Sequence, residues 1–267
     1  MKFYDNGIYE DFYKVNFMHT GFKGEMSNKS FLSIMENLAE AHSAYCHISF
    51  SDLKKYDLSW VILNWKLKVF KRPKADETLR VQTWCTGFNK ILIYRDFNVF
   101  NEKNELCAIA TSKWCMVNIS LGKMAKLPDN IDKTYHIVYT KKVFDENDIP
   151  KILIPDENYV DCDTYKIRRF DIDINKHVHN LNYLNFAMEV LPFDVFIGKE
   201  LNNVEICYKK EIKYGETIKS FLYVDDNSIN EKEKNNNEIN NIDNKIYTIV
   251  IKDEKGEITH SLVKLYN

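Results

Sequence analysis

The sequence predicts an α+β chain built from two tandem modules, each a long helix followed by an antiparallel sheet that wraps it. Three observations point there. Short matches recur in the same order: Tyr13-Lys14-Val15 with Tyr165-Lys166-Ile167, Glu77-Thr78-Leu79 with Glu216-Thr217-Ile218, and Glu102 to Leu106 with Glu254 to Ile258, about 140 to 150 residues apart. An ordered recurrence of this kind is the mark of a duplicated unit. Each half carries one helical period and then runs rich in β-branched and aromatic residues. Pro128, Pro150 and Pro155 fall between the halves, where a connector belongs.

The layout that follows is an N-terminal module over residues 1–127, a connector over 128–160 and a C-terminal module over 161–267. A central helix wrapped by its own sheet is the hotdog arrangement, and two in tandem make a double hotdog. In the first half the helix runs from Ser30 to Ala44, where Phe31, Ile34, Met35, Leu38 and Ala41 keep the spacing that lines one face. Strands follow at Trp60 to Phe70, Leu79 to Thr86, Ile91 to Phe100 and Leu106 to Val117, with a turn at Asn101 to Asn104. In the second half a helix from Asn180 to Phe196 is apolar nearly all round, which predicts burial on most sides. Asp253 to Gly256 reads as the matching turn. Asp225 to Asn244, mostly Asn, Glu, Lys and Asp, reads as a long solvated hairpin loop without chemistry.

Composition narrows the function. With 267 residues, 45% hydrophobic and 28% charged, the chain can bury a full core without metal or disulfide support. A net charge of -2 argues against a global nucleic-acid field. No apolar run approaches the roughly 20 residues of a membrane span, and the N-terminus lacks the apolar stretch of a signal peptide. Six scattered cysteines without a C-x-x-C pair read as free thiols of a reducing compartment, so the expected location is the cytoplasm. G-x-S-x-G and the Gly-rich phosphate loops are absent, which leaves serine-hydrolase and nucleotide chemistry unsupported. The histidines lack ligand spacing, and no metal or other cofactor is expected.

The chemically informative stretch is Arg168 to Asn180. If it is extended, Asp171, Asp173, Asn175 and His177 share one face and Ile172 and Ile174 the other. A carboxylate, an amide and an imidazole then converge without any long-range assumption; the plain alternative is an edge strand with a wet polar face. Directly after His177 the buried helix begins near Asn180, a good N-cap. Its free N–H groups and partial positive charge could polarise a carbonyl and stabilise an oxyanion.

Asp173-Ile174-Asn175-Lys176-His177-Val178-His179-Asn180, followed by Tyr183, Glu189 and Pro192, resembles the D-x-N-x-H-V-N-N…Y…E…P signature of acyl-acyl-carrier-protein (acyl-ACP) thioesterases of plants and bacteria. His179 stands where that family usually has Asn. Trp60-Val61, Thr83-Trp84, Tyr94-Arg95 and Ser112-Lys113-Trp114 resemble its first-half signposts, and Tyr208-Lys209-Lys210-Glu211 its later Y-R-R-E element. The resemblance covers most of the chain and weakens over 128–160 and after residue 220. It implies a double hotdog, hydrolysis of an acyl thioester to free fatty acid, and a site formed by Asp173, Asn175, His177 and Glu211. Older descriptions of the family invoke a Cys–His–Asn arrangement, but Ile212 follows Glu211 here, so a cysteine at that position is excluded.

On that resemblance Glu211 acts as general base or direct nucleophile, His177 and Asp173 orient it or the attacking water, and Asn175 holds the carbonyl or the water. Glu189 is a secondary candidate, because some single hotdog thioesterases keep their acid on the central helix. The first half carries His19-Thr20-Gly21 where the second has its polar group, and is expected to shape the acyl pocket. Lys166, Arg168, Arg169, Lys176, Lys209 and Lys210, with Lys213, form a basic surface suited to a phosphopantetheine phosphate and an acidic carrier protein. A coenzyme A thioesterase and a non-catalytic acyl-binding protein of the same fold are the competing readings. Acyl-chain length stays open, and both a monomer and a homodimer fit.

Overall fold

The structure is a computed structural model that describes residues 2–4, 6–145, 149, 151–198, 200–226 and 245–267. The chain divides into two compact units, Met1–Pro150 and Lys151–Asn267.

In the first unit, β1 (Lys2–Phe3), β2 (Tyr9–Lys14), α1 (Asn28–Tyr45), α2 (Phe50–Lys54), β3 (Leu58–Val69), β4 (Thr78–Phe88), β5 (Leu92–Phe100), β6 (Leu106–Asn118), β7 (Lys123–Ala125) and α3 (Ile131–Tyr135) follow in order. The antiparallel sheet runs β1-β2-β4-β5-β6-β3, with β7 also on β6. α1 starts where Ser27 accepts the Ser30 N–H, and its buried side presents Phe31, Leu32, Ile34, Met35, Leu38 and Ala39. Full burial of each of these side chains larger than alanine contributes roughly 1.5–3 kcal/mol. The period-2 pattern of a strand turns Leu79, Val81 and Cys85 of β4 to the same face, all fully buried. Trp84 points the other way and is buried as well, its indole N–H donating to the Lys141 carbonyl at 2.9 Å. The segment around residue 141 therefore covers the outer face of the sheet. α3 adds Ile131 and Tyr135 to a core cluster with Leu53, Cys85, Ile93 and Met116.

The second unit contains β8 (Asp161–Lys166), α4 (Asn182–Glu189), α5 (Phe193–Ile197), β9 (Asn203–Tyr208), β10 (Thr217–Asp226), β11 (Lys245–Asp253) and β12 (Thr259–Tyr266). Its antiparallel sheet runs β9-β12-β11-β10-β8. α4 buries Tyr183, Leu184, Phe186 and Ala187. The predicted turns at 101–104 and 253–256 are present, each closed by an N–H to carbonyl bond of 2.9 Å. Residues 227–244 of the predicted hairpin loop lie outside the described residues.

The helix expected over 180–196 is two helices. Proline has no N–H and disfavours the helical conformation of the residue before it. The first helix stops at Glu189 with Val190 as its C-cap, Pro192 bars its continuation, and Pro192 serves as the N-cap of α5.

Candidate active site

The Arg168–Asn180 segment is not extended. A short 3-10 turn (Arg169–Asp171) comes first, with Asp171 accepting the Arg168 N–H at 2.7 Å and the Tyr165 hydroxyl at 3.1 Å. Asp171 is thus a local cap rather than a member of a shared polar face. A tight hairpin follows: Asp173 N–H donates to the His177 carbonyl at 2.8 Å, and Lys176 N–H to the Asp173 carbonyl at 3.1 Å. Lys176 closes the loop with φ +65°, the left-handed conformation that favours glycine. Replacing Lys176 with Gly is expected to raise stability by roughly 0.5–1 kcal/mol, read as a higher urea midpoint at unchanged slope.

Inside this hairpin Asp173 Oδ1 accepts the Asn175 N–H at 2.8 Å, and Oδ2 lies 3.4 Å from Asn175 Nδ2. Asp173 therefore fixes the turn and the Asn175 amide together, an Asx arrangement. The hairpin is tied to the segment that carries Glu211 by Val178 N–H donating to the Ile212 carbonyl at 2.9 Å and by a bridge between His177 and Lys213. The outcome is that His177 Nε2 stands 3.3 Å from Glu211 Oε1. Both side chains are open to solvent, at 32% and 54% exposure, so the pair adds little to stability and is free to meet a substrate.

Glu189 is not drawn into this group. It is the exposed last residue of α4, roughly 10 Å along the helix axis from Asn182. The helix start differs from expectation too. The Leu181, Asn182 and Tyr183 N–H groups already donate to the Asn180 side chain, the His179 carbonyl and the Asn180 carbonyl, at 2.9, 2.8 and 3.2 Å. That first turn has no spare donor at these three positions for an oxyanion.

The basic residues are all exposed: Lys166 at the end of β8, Arg168 and Arg169 in the 3-10 turn, Lys176 in the hairpin, and Lys209 and Lys210 next to Glu211. Arg168 stacks over the Tyr165 ring at 4.9 Å. The sequence pattern did not single out Phe170 and set Ile174 only on the face opposite the polar group; both project into solvent, with 101% and 76% exposure. Their place between Arg169 and Asp171 and between Asp173 and Asn175 was the available signal.

The first unit repeats the hairpin without its chemistry. Gly21 N–H donates to the Glu25 carbonyl at 3.0 Å, and Gly24, with φ +73°, closes the loop. Gly21, Lys23, Glu25 and Arg72 stand where the second unit has Asp173, Asn175, His177 and Glu211. Arg72 is spent on the Met26 carbonyl and Asn28 Oδ1, at 2.9 and 2.8 Å. A cavity of about 300 Å³ in this unit is lined by Lys66, Tyr94, Asp96, Thr111, Tyr139 and Phe144. It lies on the outer face of the sheet, and its lining mixes polar and apolar groups.

Residues 6–135 match the acyl-ACP thioesterase N-terminal domain, and residues 155–258 match the acyl-ACP thioesterase C-terminal domain. The chain belongs to the acyl-ACP thioesterase family. It is 25% identical over 183 residues to the chloroplastic oleoyl-acyl carrier protein thioesterase of Coriandrum sativum, covering 63% of this chain and 48% of that protein. The chain spans about half the length of the curated relatives it matches. Among solved structures, an acyl-ACP thioesterase from Bacteroides thetaiotaomicron has a TM-score of 0.79 at 20% identity, covering 98% of both chains. The 12:0-ACP thioesterase of Umbellularia californica has a TM-score of 0.80 at 17% identity, covering 98% of this chain and 94% of that one. The fold of this acyl-ACP thioesterase family member is the double hotdog, as its sequence predicts. No helix among the described residues is long and apolar enough to cross a membrane.

Proposed function

We propose that the chain hydrolyses fatty acyl-carrier-protein thioesters, releasing a free fatty acid and the carrier thiol. Family membership supports the reaction class, and the 3.3 Å approach of His177 to Glu211 is the observation that carries the site. Glu211 takes a proton from water as the oxygen attacks the acyl carbon, and the C–S bond breaks as that proton passes to the departing sulfur. His177 holds the carboxylate in place, Asn175 offers its amide to the carbonyl or the water, and Asp173 holds Asn175. All six cysteines are free thiols, which suits a cytoplasmic location.

Thiol release measured with acyl-carrier and acyl-coenzyme A substrates of graded chain length tests this reading. Faster turnover of the carrier substrates supports it; turnover of coenzyme A thioesters alone assigns the chain to the other substrate class, and no thiol release at any length favours an acyl-binding protein. The relatives named above are described as acting on oleoyl and 12:0 chains, so chain length has to be read from this panel.

The carrier protein is expected to dock on the basic rim that includes Arg168, Arg169, Lys209 and Lys210, with Phe170 and Ile174 as apolar contacts beside the site. Reversing Lys209 and Lys210 to Glu is expected to raise KM for an acyl-carrier substrate about tenfold, equivalent to about 1.4 kcal/mol. The KM for the same acyl group on a small neutral thiol should be unchanged. A kcat/KM on the carrier substrate that ignores ionic strength would remove the steering contribution.

A further inference from the structure

The unit that lacks the acid is an internal control for the unit that has it. In both, two successive N–H groups converge on one carbonyl just before the key position. Phe70 and Lys71 donate to the Cys107 carbonyl at 2.8 and 3.1 Å, and Lys209 and Lys210 donate to the His260 carbonyl at 2.9 and 3.2 Å. The next residue is Arg72 in one unit and Glu211 in the other. The backbone device is duplicated, whereas the side chains around it are not.

In the second unit the Lys210 carbonyl, which belongs to the peptide leading into Glu211, is met by two side chains. The Tyr183 hydroxyl donates to it at 3.4 Å, and His260 Nδ1 lies 3.2 Å away. A carbonyl oxygen only accepts, so this contact places the proton of His260 on Nδ1. The phenol thus meets the backbone directly before Glu211. Tyr208 packs edge-on against Tyr183 at 5.4 Å and donates its hydroxyl to the Asn180 carbonyl at 3.1 Å. His260 and Tyr183 are both buried, where an unmet carbonyl is costly.

The duplicated hairpin and the duplicated N–H pair put Phe31, Val69 and Cys107 of the first unit opposite Tyr183, Tyr208 and His260. Phe31 and Val69 cannot donate, and the Cys107 sulfur is turned to the Glu105 carbonyl at 3.6 Å. Polar groups aimed at this peptide thus occur in the unit where an acid has to be aimed.

We propose that His260, together with Tyr183, is a positioning residue that clamps the Lys210–Glu211 peptide and holds the Glu211 carboxylate against His177. The proposal rests on the catalytic reading of Glu211. Misplacing a catalytic group by about 1 Å can cost about 10²-fold in rate. His260→Leu is expected to lower kcat at least tenfold with KM within twofold. His260→Asn, whose Nδ2 can donate to the same carbonyl, should recover most of that loss. In a Glu211→Gln background His260→Leu should cost nothing further. An equal loss in both backgrounds, or no rescue by Asn, assigns His260 a general packing role and overturns the proposal. The clamp is also read without turnover: amide hydrogen exchange across residues 209–213 should rise in His260→Leu and in Tyr183→Phe at unchanged global unfolding free energy. Unchanged exchange there overturns the clamp in any protein, active or not. Full activity of Glu211→Gln itself overturns the catalytic reading instead, while raised exchange in His260→Leu continues to support the clamp.

Discussion

Glu211→Gln is expected to lower kcat on an acyl-carrier thioester by about 10²–10⁴-fold, the range a positioned general base contributes. The unfolding free energy should change by no more than about 0.5 kcal/mol. The asymmetry follows from the site's openness. The carboxylate is 54% exposed and its partner imidazole 32%, so the pair is too well solvated to matter for folding. Its 3.3 Å separation matters only when a thioester arrives. His177→Ala should lose rate on the same scale, and the double variant should lose little more than the worse single one, because the two groups act as a unit. Glu189→Gln is the discriminating control. That acid ends α4, away from the His177 pair, and its loss is expected to leave kcat within about threefold, a barrier change of about 0.7 kcal/mol. A large kcat loss at Glu189 with none at Glu211 would move the base to the helix. Asp173→Ala should differ from both in kind. It removes the acceptor of the Asn175 N–H at 2.8 Å, so it should lower stability as well as rate.

The two-module layout is legible in the sequence because the repeated residues hold the turns. Glu77 and Glu216 each accept an N–H three residues back, from Lys74 and Lys213, at 2.8 and 2.9 Å. That requirement keeps Glu-Thr-Leu and Glu-Thr-Ile alike after the rest has diverged. The polar group is legible for a different reason than the one the alternation suggests. Residues two apart share a face in a strand, yet here Asp173, Asn175 and His177 are gathered by a hairpin closed at a left-handed Lys176. Lysine carries no signal for that conformation, whereas Gly24 in the first unit does, so the turn could have been read from the other half of the repeat. Glu211 has no local signal: a lone acid beside two lysines looks like a solvated strand end, and only the resemblance singled it out. The break at Pro192 was open to a proline rule, but the uninterrupted helix of the first half pointed to a longer one. His260 lies outside every motif, and its partner Lys210 becomes visible only when the sheet brings β12 beside the end of β9.

Arg95 enters the sequence reading only as half of a Tyr-Arg signpost, and the structure ties it to the second large effect. Lowering the pH from 7 to 4 is expected to cost the wild-type protein about 3 kcal/mol more stability than it costs a His42→Gln variant. His42 lies on the buried side of α1 with no exposed surface. Its ring stacks on Tyr9 at 5.2 Å and meets Tyr135 edge-on at 5.1 Å. Arg95 Nη1 lies 2.8 Å from His42 Nδ1, and since a guanidinium only donates, Nδ1 is the bare nitrogen. Burial first, then the Arg95 charge and that of His136, push the His42 pKa down to about 2. In the unfolded chain the same imidazole takes a proton near its ordinary value of about 6.5. Between those two values the unfolded state binds a proton that the folded state refuses. Stability therefore falls as the pH drops below about 6.5, by about 1.4 kcal/mol per unit once well below it. Carboxylates add an acid limb of their own, but it is common to wild type and variant, so the difference between their urea-derived free energies isolates His42. Arg95→Leu supplies the second test. Without the guanidinium the buried imidazole is easier to protonate, and the acid-dependent loss should shrink toward that of His42→Gln. Parallel stability–pH curves for wild type and His42→Gln would show that the imidazole is protonated in the folded chain. That result is incompatible with a guanidinium 2.8 Å from its ring nitrogen.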